Sequence, residues 1–144
     1  MRYHDKSKGK VSVLLFIDPD AQAKVQDKEA LTSKRALERA RMNEEAADFI
    51  NRISGEFKQV KFVIISLEDK DKTDKFLKDK AIQVETLIEE DGEVSHEYGV
   101  THTPSMIVVD KEKKIRTMYR GFTDKTGETV ARDLKALSAK EERK

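Results

Sequence analysis

Three runs along the chain are apolar at nearly every position, the mark of strands covered on both faces rather than on one. Val11 with Val13 to Ile17 is the first, Val60 to Leu67 (VKFVIISL) the second and Ser105 to Val109 (SMIVV) the third. The first run stops at Asp18-Pro19-Asp20. Pro19 cannot donate to a ladder and Asp20 can cap a helix, so a strand-to-helix corner is expected there. Residues 22–54 hold neither Pro nor Gly and are rich in Ala, Glu, Lys and Arg, which predicts helix. Ala46, Ala47, Phe49, Ile50, Ile53 and Phe57 recur at helical steps and form a stripe that closes near Gly55. Before it, Val25, Leu31, Leu37 and Ala40 give only a thin stripe. Asn43 followed by Glu44 and Glu45 has the form of a fresh N-cap, so this segment is expected as one long helix or as two pieces broken near Met42.

Weaker patterns fill the rest. Asp71 to Lys80 reads as a short polar helix, Ile82, Val84 and Thr86 to Ile88 as a lesser strand, and Glu93 to Tyr98 as a turn or two of helix ended by Gly99. A charged turn, Asp110 to Lys113, joins the third apolar run to Ile115–Tyr119 as a hairpin, and Thr126 to Leu137 closes the chain as a helix. The order is β-α-β-α-β-α-β-β-α, an α/β fold with a mixed central sheet and helices on both faces. One domain over residues 10–138 is expected, with a polar lead at 1–9 and a solvated tail at 139–144.

Composition narrows the function more than the fold. Charged residues make up 40% of the 144, yet 29 Lys+Arg against 28 Asp+Glu leaves a formal charge of +1. A nucleic-acid partner, which calls for basic excess, is therefore not expected. No run of 18 apolar residues occurs, so no membrane span is expected, and no short apolar stretch follows a basic N-terminus, so no signal peptide is expected either. Cysteine is absent, which removes disulfides, thiolate nucleophiles and thiolate metal sites together. Two Asn and four Gln beside abundant Lys and Glu suggest a heat-adapted origin.

The stretch Tyr98-Gly99-Val100-Thr101-His102-Thr103-Pro104-Ser105-Met106-Ile107-Val108-Val109-Asp110, followed by Ile115 and Arg120-Gly121-Phe122, resembles the second half of thioredoxin-fold proteins. The likeness is to thiol-disulfide oxidoreductases of the TlpA/ResA type and to the related peroxiredoxins (AhpC/TSA, redoxin). It extends over about residues 10–138, and Glu90-Asp91-Gly92-Glu93-Val94 matches the turn that commonly precedes that loop. The resemblance implies a thioredoxin-like three-layer α/β/α sandwich and a cis Thr103–Pro104 bond facing a redox motif after the first strand. In this chain the matching positions are Ala21, Gln22, Ala23 and Lys24, with Ala21 where the nucleophilic cysteine would stand and Lys24 where its resolving partner would. Neither residue can exchange a disulfide or attack a peroxide, so no catalytic residue and no dithiol or peroxidase activity is expected.

Two readings follow. In the first, the chain is a redox-inactive thioredoxin-like protein that binds a protein or peptide segment through Thr103, Pro104 and His102, opposite Asp18 and Asp20. That acidic corner would then favour a basic or amide-rich segment. In the alternative, the natural activity is that of an oxidoreductase or peroxiredoxin-type antioxidant protein whose redox cysteines are replaced here. An imidazole and two carboxylates in that corner have the chemistry of a divalent-cation site, but a charged loop is the simpler reading, and neither metal nor cofactor is expected. The basic cluster Lys34, Arg35, Arg39 and Arg41 is a second candidate partner surface. The family resemblance implies an extracytoplasmic setting; a cytoplasmic one is expected only if no signal peptide has been removed.

Overall fold

The computed structural model describes residues 10–19 and 30–142, with side chains for 10–19, 34, 35 and 37–137. Five strands and four helices alternate in the expected order: β1 (Ser12–Ile17), α1 (Ala30–Ile53), β2 (Lys61–Ser66), α2 (Lys70–Asp79), β3 (Glu85–Ile88), α3 (Glu93–Glu97), β4 (Ser105–Val109), β5 (Ile115–Arg120) and α4 (Asp124–Glu142). They form one sheet ordered β3-β2-β1-β4-β5. The pairs β1–β2 and β2–β3 are parallel, while β1–β4 and β4–β5 are antiparallel. This is the thioredoxin-like α/β sandwich that the sequence implies.

The central position of β1 explains its unbroken apolar run, since every residue from Ser12 to Ile17 is buried. Alternate side chains enter different cores. Val13, Leu15 and Ile17 join Ala46, Ile50 and Ile53 of α1 and Val130 and Leu134 of α4 in the larger one, against which Phe76 and Leu77 of α2 also pack. Leu14 and Phe16 join Val63, Ile65, Ile107 and Val109 in a smaller core under Val94 of α3 and Tyr98 just after it. The steps from β1 to β2 to β3 run in one direction, so right-handed crossovers place α1 and α2 on the same face.

Local chemistry sets the boundaries. Asp69 caps α2 by accepting the Lys72 N–H at 2.8 Å. Thr123 and Thr126 exchange backbone-to-hydroxyl hydrogen bonds of 3.2 and 3.3 Å, a reciprocal cap that starts α4 two residues before the expected Thr126. Tyr119 Oη donates to Asp133 Oδ2 at 2.6 Å and ties β5 to α4. Burial, with that bond, raises the phenol above its ordinary range.

Two further boundaries differ from expectation, and the choice left open between one helix and two is decided. α4 continues through Glu142, so residues 139–142 are helical and extend what the sequence suggested as a tail. β3 is confined to residues 85–88 because Ile82 and Val84 pack into the larger core ahead of the strand. α1 is continuous across Met42, and Asn43 is no cap: it is buried in mid-helix at 1% exposure, for a reason that belongs to the site. The helical prediction for residues 22–29 lies outside the described residues.

Candidate functional site

β1 and β4 pair antiparallel with Phe16 opposite Ser105, so the end of β1 and the loop before β4 lie side by side. The Thr103–Pro104 peptide bond is cis. His102 and Ser105 brace the loop from within: Ser105 Oγ donates to the His102 carbonyl at 2.7 Å, and His102 Nδ1 lies 2.9 Å from Thr101 Oγ1. From the other side the Gly121 N–H donates to the Pro104 carbonyl at 2.8 Å. Gly121 holds φ +75°, a backbone that side-chain-bearing residues rarely adopt, and a Cβ there would lie 3.4 Å from Met42 Sδ.

Asn43 is the strut between α1 and this corner. Its Oδ1 accepts the Asp18 N–H at 2.8 Å, and its Nδ2 donates to the Arg39 carbonyl at 2.8 Å. The peptide leaving β1, which has lost its ladder partner, is thereby satisfied by a helix side chain.

The approach to the loop from α3 rests on Glu89. Its carboxylate accepts the Val94 N–H, and also the Ser95 N–H and hydroxyl at 3.4 and 3.3 Å. These are the free donors of the first turn of a five-residue helix, which has little stability of its own. Glu89→Ala should therefore cost about 1–2 kcal/mol. In hydrogen exchange the Val94 and Ser95 amides should lose protection first. Unchanged exchange there would show that tertiary packing alone holds α3.

Between α1 and the loop runs an open groove of about 640 Å³. Lys34, Arg35, Glu38, Arg39 and Met42 form the α1 side, with His102 and Thr103 from the loop and Arg120 and Gly121 from the end of β5 opposite. Three residues of the basic cluster, Lys34, Arg35 and Arg39, thus border the same groove as His102 and Thr103 of the Thr-Pro loop. Arg41 is excluded, bound to Glu38 and Glu45 at 2.7 and 2.9 Å. Pro104 is buried beneath Thr103. Asp18 is outside the groove's described lining, with its backbone turned to Asn43. Asp20, Ala21, Gln22, Ala23 and Lys24 lie outside the described residues, so the degenerate motif has no structural account.

The described lining of the groove is basic, with Lys34, Arg35, Arg39 and Arg120 against one carboxylate, Glu38. The cause is the unbroken α1, whose exposed positions 34, 35, 38 and 39 overhang the loop instead of the core. Arg120 and Met42 went unrecognised as site residues, although Arg120-Gly121 stands in the stretch that carries the family likeness. Among the described residues no group of three or more His, Asp or Glu side chains is placed to hold a metal ion, and no helix is long and apolar enough to cross a membrane.

Solved structures of thiol-disulfide proteins share this fold. A DsbE-type thiol:disulfide interchange protein from Chlorobium tepidum superposes with a TM-score of 0.74 at 16% identity, over 93% of this chain and 84% of its own. DsbF of Mycobacterium tuberculosis gives 0.70 at 20% identity, over 92% and 84%. A secreted disulfide oxidoreductase from the same organism gives 0.68 at 16% identity, over 92% and 86%. No curated protein matches the chain in sequence. The AhpC/TSA family profile matches residues 40–118, more than half of the chain, from the Ala40 turn of α1 through Met118 of β5. With that match running from the second half of α1 through α3 and the Thr-Pro loop, the chain belongs to the AhpC/TSA family, as a member without a cysteine.

Proposed function

We propose that this chain is a redox-inactive thioredoxin-like module that binds an extended segment of a protein partner at the Thr103–Pro104 loop. The supporting observation is the backbone of Thr103. Its N–H and C=O take part in no hydrogen bond among the described residues, although the residue is half-buried in the groove floor. Backbone groups in such a place are costly to leave unpaired, and an incoming strand satisfies both while its side chains settle into the groove. Selection of extended peptides from an unbiased displayed library, followed by amide-shift mapping, tests this. The footprint should centre on residues 102–104 and 120–121. A footprint confined to α2 and the β3 edge, or no selectable peptide at all, would count against the reading.

Disulfide exchange needs a thiolate, and the chain has no cysteine to supply one. Insulin reduction in dithiothreitol should therefore proceed at the buffer rate in its presence. Any acceleration would mean a thiol-independent chemistry that this site does not suggest. One structural neighbour is a secreted protein, which supports an extracytoplasmic place of action as part of the proposal. Fractionation that finds the native protein only in the cytoplasm would remove that part.

A further inference from the structure

The groove's charge goes beyond anything strand addition requires. Lys34, Arg35, Arg39 and Arg120 are all exposed along it, and none forms an ion pair among the described residues. Other cations of the molecule do find partners: Lys61 meets Glu85 at 2.9 Å, Lys75 meets Asp79 at 2.6 Å and Lys80 meets Asp48 at 3.1 Å. The one carboxylate in the described lining, Glu38, is engaged by Arg41 at 2.7 Å. In a chain of net charge +1, this clustering is local rather than a reflection of overall composition.

The geometry points to an acidic extended segment as the occupant of this groove, an inference that rests on the docking reading above and names its partner's chemistry. Arginine forks bind carboxylates in pairs of parallel hydrogen bonds, and weakly hydrated guanidinium groups lose little by leaving water. Arg35 and Arg39 are four residues apart on α1, a rise of about 6 Å along the helix. Side chains two apart on one face of an extended strand are separated by about 6.6 Å. A Glu-x-Glu segment running beside α1 thus brings successive carboxylates to successive arginines, while its backbone meets Thr103 and Arg120 closes the far side. Nucleic acid fits less well, because a polyanion is held by a long track of cations and this one is a short groove on an otherwise balanced surface.

Fluorescence anisotropy on the full chain tests the inference, using three labelled peptides alike except for Glu-x-Glu, Gln-x-Gln or Lys-x-Lys in a Ser/Thr/Ala background, with a single-stranded oligonucleotide beside them. At low salt the Glu peptide should bind at least about tenfold more tightly than the Gln peptide, and added salt should shrink the gap. Arg35→Glu with Arg39→Glu should invert the order in favour of the Lys peptide. Arg120→Glu, on a different element, should weaken the Glu peptide independently, whereas Lys75→Glu should change nothing. Equal affinity for all three peptides, with shifts still at Thr103, would overturn the acidic preference and leave the docking reading standing. Binding of none would overturn both, and an oligonucleotide that outcompetes the Glu peptide would assign the groove to nucleic acid instead.

Discussion

Phe16→Ala should destabilise the protein by about 3–5 kcal/mol, the largest loss expected from any single truncation near the site. Phe16 is 0% exposed at the C-terminal end of the central strand. Its ring stands 6.1 Å from that of Tyr98 at a tilt of 54°, a favourable aromatic arrangement that adds to simple burial. On one side β2 and on the other β4 pin the backbone of β1, so the strands cannot close over the hole. Only the short α3 and its flanking loop can sink into it, which favours the lower half of the range. That collapse has a functional price: Tyr98 and Gly99 lead directly into Thr101, and their displacement should loosen the loop that presents Thr103. Urea denaturation gives the stability, and hydrogen exchange over residues 94–103 gives the loop. A loss under about 1 kcal/mol would mean that the ring contributes far less than its burial implies.

The sequence was most legible where burial was two-sided. β1, β2 and β4 lie inside the sheet, so both faces demand apolar side chains and the runs stand out without any alternation to interpret. β3 was faint because it is an edge strand that begins with exposed Glu85 and ends with Ile88 at 37% exposure. In α1 the stripe from Ala46 to Ile53 was visible and is buried, whereas the thinness before it was misleading. Leu37 is 49% exposed, and its neighbours border the groove rather than the core, so the fading stripe records an overhang and not a break. Pattern rules have no signal for a helix that leaves its core to roof a site.

The site itself was half legible. The Thr-Pro loop came from a local motif, which a sequence displays directly. The groove came from three segments, residues 34–42, 102–103 and 120–121, and their charge could be added up only once the fold had brought them together.

Asn43→Leu should cost about 1–3 kcal/mol, although it improves the residue's helix propensity and keeps the number and branching of its side-chain heavy atoms. The substitution leaves the Asp18 N–H without the acceptor that now sits 2.8 Å away, and a half-buried donor left unpaired loses its water without replacement. The Arg39 carbonyl also loses the Nδ2 donor, but as a mid-helix carbonyl it keeps its backbone bond, so this loss is the smaller one. Leucine's better fit within a helix recovers only a few tenths of a kcal/mol, so the unpaired amide decides the sign. The damage should be uneven in space. The Asp18 amide should exchange faster and shift strongly, while amides of β2 and β5 change only with global stability. Peptide affinity at Thr103 should fall beyond what the fraction unfolded explains, because Asn43 sets how the end of β1 meets the helix that walls the groove. Asn43→Asp, which keeps an oxygen facing Asp18, should retain more of the Asp18 protection than the leucine variant. Equal protection of Asp18 in the wild type and in Asn43→Leu would show that the corner is held by something other than this strut.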